Sequence, residues 1–149
     1  MTNKLIHFAA AALTGAMLFM SIGAGSAHAA NRVVAVVDIS DQRMEVLIDG
    51  IPTFEWKVST ARKGYVTPRG SFKPTRLEEM WYSRKYDMSP MPHSVFFSGG
   101  YAVHATNYVK RLGTPASHGC IRLHPNDASD FYQLVQVYGR SNTSILITE

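Results

Sequence analysis

The chain has 149 residues, 46% of them hydrophobic, which fits one globular domain with a core of its own and leaves little room for a second. Its formal charge of +4 is mild and spread along the sequence, with no basic run and no nucleic-acid motif, so a solvated surface or attraction to an acidic polymer is the reading that remains. One cysteine in the whole chain excludes an internal disulfide framework.

Residues 1–29 have the pattern of a secretory signal peptide. Lys4 supplies the positive start, an apolar run extends from Leu5 to Ile22, and Ala27-His28-Ala29 is a small-x-small cleavage signal. The expected mature domain is therefore 30–149. No cysteine lies near the cleavage point, so lipid attachment there is not expected. Export sharpens the meaning of the lone thiol. In an oxidising compartment an unpaired cysteine implies an intermolecular bridge, a reactive group or deep burial.

Val33 to Ile39 is a β-branched apolar run and is predicted as a buried strand. Ser40-Asp41-Gln42 forms a turn. Met44, Val46 and Ile48 alternate along the next strand, and Asp49-Gly50 marks a hairpin into a third, from Thr53 to Ser59. Thr67-Pro68-Arg69-Gly70 is a second turn, followed by a possible strand from Ser71 to Arg76. Leu77 to Pro92 is expected to be irregular, an aromatic and Met-rich loop that either packs over the core or covers a groove. Ser94 to Phe97 and Tyr101 to His104 are strands joined through Ser98-Gly99-Gly100, which leaves His104 at a strand end, facing opposite to Val103. Pro125 opens a helix carrying Ala128, Phe131, Leu134, Val135 and Tyr138 on one stripe, with Gly139 closing it. Ser144 to Thr148 is a last strand. Many strands and one clear helix give a β-rich α+β domain.

The chemistry concentrates between His104 and Arg122. That stretch holds Cys120 and two of the six histidines, His104 and His118. A thiol becomes a useful nucleophile when a neighbouring base or cation stabilises its thiolate, and a free thiol near pKa 8.5 is otherwise poorly matched to neutral pH. A small buried hydrophobe is the plain alternative for Cys120. His118 is either a donor to a developing oxyanion or a structural ring. Ser117 either braces the loop or touches substrate. Arg122, two residues past Cys120, shares its face if the segment is extended, and holds either a substrate carboxylate or a structural ion pair. His93 and His124 beside His104 and Cys120 match no zinc spacing, so no metal is expected.

His104 followed by Ser117-His118-Gly119-Cys120-Ile121-Arg122 resembles the signature of the L,D-transpeptidase catalytic domain of bacterial cell-wall enzymes. Val58-Ser59-Thr60, Thr67-Pro68-Arg69-Gly70, Met91-Pro92, the run from Phe97 to His104 and the Gly113-to-Ser117 approach are similar too. The chain departs from many relatives in Ala105 after His104, in a short spacing from His104 to Ser117, and in Arg122 where some carry Asn. The resemblance implies a mixed-strand sandwich or barrel-like domain with its main helix after the cysteine. It implies Cys120 as nucleophile, His104 as general base and acid, the Ala105 carbonyl orienting that base, the Gly119 backbone N–H serving an oxyanion and His118 in support. Ser117 and Arg122 are then the substrate-binding candidates. The implied partners are peptidoglycan stem peptides, with an outer-membrane lipoprotein as a possible acceptor. No cofactor, metal or nucleic acid is implied. The location is the periplasm or cell wall.

Overall fold

A computed structural model describes residues 32–149; the signal-peptide reading of residues 1–29 lies outside the described residues. The strands are β1 (Val33–Asp38), β2 (Arg43–Ile48), β3 (Ile51–Lys57), β4 (Gly70–Phe72), β5 (Arg76–Ser83), β6 (Ser89–Ser98), β7 (Tyr101–Ala105), β8 (Ile121–Leu123) and β9 (Thr143–Thr148). The helix α1 (Pro125–Tyr138) follows β8 directly. One sheet runs β3-β2-β1-β9-β4 and the other β5-β6-β7-β8. The domain is thus two mixed sheets with a single main helix.

The opening meander forms where the alternation placed it. Val33, Ala35 and Val37 of β1, Met44 and Val46 of β2, and Trp56 of β3 are buried on one face. β9 then inserts beside β1 in parallel register, Val33 opposite Thr143 and Ala35 opposite Ile145. Gln42 locks the β1–β2 turn to the segment after β3. Its side-chain oxygen accepts the Thr60 N–H at 2.9 Å and its amide nitrogen donates to the Ile39 carbonyl at 2.7 Å.

α1 is capped at its start by His124, whose Nδ1 accepts the Asn126 N–H, and stops at Gly139, at φ +87°. It packs on β6 and β7. Phe131 and Val135 join Val95, Phe97, Val103 and Ala105 in the main core, together with Ile121 and Leu123. The opposite face of the second sheet carries a smaller cluster of Met91, Phe96 and Ala102, against which Trp81 and Cys120 pack.

Two expectations are corrected. The strand from Ser71 to Arg76 is only Gly70–Phe72, because the chain passes on into the other sheet. The stretch from Leu77 to Pro92 is a long hairpin of β5 and β6 with a short 3-10 turn, Arg84–Tyr86, at its tip. The prolines at 90 and 92 hid it. Both lie on β6 where it pairs with β5 alone, since β7 joins it only from Val95 onward, so one side of the backbone there has no ladder to break. Among the described residues no helix is long and apolar enough to cross a membrane.

Candidate active site

The site begins with the register between β7 and β8. These strands run parallel, with Val103 opposite Ile121 and His104 opposite Arg122. Val103 and Ile121 point into the main core. Alternation therefore turns His104 and Arg122 to the other face, and one step back it sets Cys120 on that face beside Ala102. His104 and Cys120 are diagonal neighbours across two paired strands.

His104 is buried, 6% exposed. Its Nδ1 lies 2.7 Å from the Ala105 carbonyl. A carbonyl only accepts, so Nδ1 carries the proton and Nε2 keeps its lone pair. Burial holds the pKa of the ring down to about 4; the Ala105 bond opposes the shift and the Arg122 charge adds to it. At neutral pH the imidazole is uncharged.

Cys120 is a free, partly exposed thiol with its sulfur 3.9 Å from the Gly100 carbonyl. Burial pushes its pKa up, while the Ala102 backbone amide and the Arg122 guanidinium pull it back. Burial and the Arg122 charge thus act in opposite directions on the thiol, while burial disfavours a charged His104 ring.

The loop from Ala116 to Cys120 is held from several sides. The Ala116 and Ser117 N–H groups donate to the Thr60 carbonyl, and the Arg62 N–H donates to the Ser117 carbonyl. Ser117 is fully buried; its hydroxyl donates to the Cys120 carbonyl at 2.6 Å and accepts the Gly119 N–H at 2.9 Å. Of the two readings of Ser117 the bracing one fits, and as a substrate-binding candidate it has no surface left. The expectation for Gly119 changes. The Gly119 N–H already has an acceptor within the loop and is not free for an oxyanion. What Gly119 supplies is shape: its φ is +125°, and a Cβ there would lie 2.5 Å from the Tyr101 ring and 2.6 Å from the Val66 carbonyl oxygen.

Several residues in this region were not singled out from the sequence. The Thr67 hydroxyl donates to the Gly119 carbonyl at 2.9 Å and accepts the Ala61 N–H at 3.0 Å, so the Thr67-Pro68 turn supports the cysteine loop from below. Tyr86 at the hairpin tip stacks on His118 at 4.2 Å and 9°, and Tyr65 meets the same ring edge-on at 4.6 Å. His118 is held between two tyrosines, and burial followed by the Arg62, Arg122 and Lys85 charges lowers its pKa. Arg122 is half-buried, donates weakly to the Ala116 carbonyl at 3.3 Å, and forms no ion pair among the described residues. The salt-bridge alternative for it is thereby removed.

Among the described residues no group of three or more His, Cys, Asp and Glu side chains is arranged to hold a metal. A cleft of about 460 Å³ opens between Trp56, Lys57, Val109, Leu112, His124 and Asp127, and neither Cys120 nor His104 lines it.

Comparison with known proteins decides the family. The model of the L,D-transpeptidase catalytic domain (YkuD) matches residues 32–145. The chain belongs to the L,D-transpeptidase catalytic domain family. The L,D-transpeptidase of Mycobacterium smegmatis superimposes with a TM-score of 0.69 at 26% identity, over 80% of this chain and 59% of that one. The enzyme from Stackebrandtia nassauensis gives 0.69 at 26% identity, over 79% of this chain and 56% of that one. A Bacillus subtilis (strain 168) protein, YqjB, whose name places it among the L,D-transpeptidases, is 26% identical over 127 residues, covering 76% of this chain and 70% of its own. The chain spans less than two thirds of the two solved structures. What it shares with them is the L,D-transpeptidase domain itself.

Two outcomes follow from this geometry. Gly119→Ala is expected to lower the unfolding free energy by about 2–4 kcal/mol, because the added methyl meets the Tyr101 ring and the Val66 carbonyl at a φ that L residues avoid; a denaturant titration matching the parent contradicts that. His104 carries a pH signature as well. Its folded pKa of about 4 lies below the ordinary 6.5. The unfolded chain therefore binds the proton first, and stability falls as pH drops from about 6.5 to about 4, by about 3 kcal/mol in all. In His104→Gln this share of the pH dependence should disappear from the same titrations.

Proposed function

We propose that this protein is an exported cell-wall transpeptidase that works through a thioester on Cys120. The observation that carries the reading is the His104 ring, oriented by the Ala105 carbonyl with its basic Nε2 free, one diagonal step from the only cysteine in the chain. Family membership supports peptidoglycan stem peptides as the donor class.

The chemistry runs as acyl transfer. As the Cys120 sulfur attacks the carbonyl of the diamino acid L-centre, the thiol proton passes to His104 Nε2. Proton and nucleophile move together, because burial disfavours a standing thiolate and a standing imidazolium alike. The tetrahedral oxyanion needs donors, and with the Gly119 N–H engaged by Ser117 the Cys120 N–H is the first candidate. Collapse expels the terminal D-Ala amine, which takes the proton from His104 and leaves the thioester. An amine of a second stem then attacks the thioester, loses its proton to His104, and the sulfur leaves as the thiol. A 3→3 cross-link results. A lipoprotein lysine as acceptor, or water, uses the same first half. Arg122, charged and without an acid partner among the described residues, is suited to hold a donor carboxylate.

The segment 1–29 carries the export half of the proposal, and periplasm or wall is the compartment it implies.

Mass spectrometry of purified muropeptides incubated with the protein tests the reading. D-Ala loss with a dimer is expected, and Cys120→Ala should abolish both. Tripeptide without dimer makes the protein an L,D-carboxypeptidase. No change to either species, with the protein folded, contradicts the enzymatic reading.

A further inference from the structure

Three successive peptides run from His118 past Cys120 to Ile121, and each is pinned by a side-chain hydroxyl. The Gly119 N–H donates to the Ser117 hydroxyl, and the Cys120 carbonyl accepts from that same hydroxyl. The Gly119 carbonyl accepts from the Thr67 hydroxyl at 2.9 Å. The Cys120 N–H, on the middle peptide, has no acceptor among the described residues.

That N–H and the Gly119 carbonyl belong to one peptide. A planar trans peptide points its C=O and N–H in opposite directions, so a bond that fixes the carbonyl also aims the N–H. This peptide needs an outside restraint. Position 119 tolerates no Cβ, which would lie 2.5 Å from the Tyr101 ring and 2.6 Å from the Val66 carbonyl oxygen. Glycine meets that demand, but it leaves the following plane freer to rotate than any other residue would. The Thr67 bond supplies the restraint that glycine gives up.

The Thr67 hydroxyl is itself held. It accepts the Ala61 N–H at 3.0 Å, which leaves its single proton for the Gly119 carbonyl. Thr67 is buried, so both bonds are shielded from bulk water. Pro68 after it keeps the Thr67 backbone out of the helical region. Ala61 lies between two residues that bind the loop directly: the Thr60 carbonyl accepts the Ser117 N–H, and the Arg62 N–H donates to the Ser117 carbonyl. One hydroxyl thus joins that segment to the peptide before the cysteine.

We propose that Thr67 is a positioning residue for acyl transfer: its hydroxyl holds the Gly119–Cys120 peptide so that the Cys120 N–H faces the oxyanion formed when the sulfur attacks a carbonyl. Thr67 needs no contact with substrate for this. The proposal rests on the reading of Cys120 as a nucleophile that accepts acyl groups.

Two reactions of the same sulfur separate this role from a structural one. With p-nitrophenyl acetate the sulfur attacks a carbonyl carbon, the acetyl group passes to sulfur, p-nitrophenolate leaves and the thiol proton goes to His104. An oxyanion forms on the way. With iodoacetamide the sulfur displaces iodide from a saturated carbon, and no oxyanion forms. Mass spectrometry follows both rates, with Cys120→Ala as the blank and circular dichroism on every variant. Thr67→Val keeps the shape and removes the hydroxyl. Its acetylation should be slower by about tenfold or more, with alkylation and its pH profile within about twofold of the parent. Thr67→Ser should recover most of the acetylation rate. Thr67→Val also orphans the Ala61 N–H; if it does not fold, Thr67→Ala takes its place with the same split expected. Acetylation as fast as in the parent overturns the proposal. An equal loss in both reactions does so too, as does Thr67→Ser behaving like Thr67→Val. Any of these leaves Cys120 as an acyl acceptor. A parent protein that is alkylated but never acetylated removes that reading itself, and this proposal with it.

Discussion

The parallel pairing of β7 with β8 is the constraint on which the site depends. A strand's side chains alternate, so the face that carries Val103 and Ile121 into the core fixes the opposite face for His104, Arg122 and Cys120. Core and site are thus set by the same register. A slip of one residue would put a histidine and an arginine among Val95, Phe97 and Phe131, which no hydrogen-bond partner there could satisfy. The hydrophobic core defends the catalytic geometry without touching it.

Burial then sets the chemistry. It lowers the basicity of His104 and raises that of the thiolate, which in the proposed reaction favours creating charge only as the sulfur attacks. The Ala105 carbonyl fixes the imidazole tautomer, and Arg122 lies on the same face as Cys120. The loop leading to Cys120 has little freedom. Ser117 ties its two ends, Thr67 holds the Gly119 carbonyl, and the absence of a Cβ at 119 lets Tyr101 and Val66 close in. Such a frame costs no reorganisation when substrate arrives.

Much of this was legible in the sequence. The alternation from Val33 to Trp56 gave the meander, and Pro125 with Gly139 gave both ends of the helix. The Ser117-to-Arg122 run located the site. What escaped was long-range or masked. Prolines at 90 and 92 concealed β6, which tolerates them because β5 is its only neighbour there. Nothing in Thr67 itself shows that its hydroxyl will meet a carbonyl far along the chain, at Gly119. The Tyr65–His118–Tyr86 stack joins three separate segments and exists only once the hairpin folds over the loop. The resemblance implies the Gly119 N–H for an oxyanion, but Ser117 takes it, and the close approach of Tyr101 and Val66 at 119 shows only in the fold. Local pattern reads elements and motifs; which donor finds which acceptor is decided by the tertiary fold.

The central claim is that the sulfur and the imidazole rest uncharged and exchange a proton only during attack. Ultraviolet titration of the thiolate, read as the absorbance lost in Cys120→Ala, measures this directly. The account predicts no thiolate at pH 7 and a signal that rises only at a higher pH than that of an ordinary thiol, in step with a thiol raised by burial. A thiolate already formed at pH 6–7, vanishing in His104→Gln, would mean a standing ion pair and would contradict it.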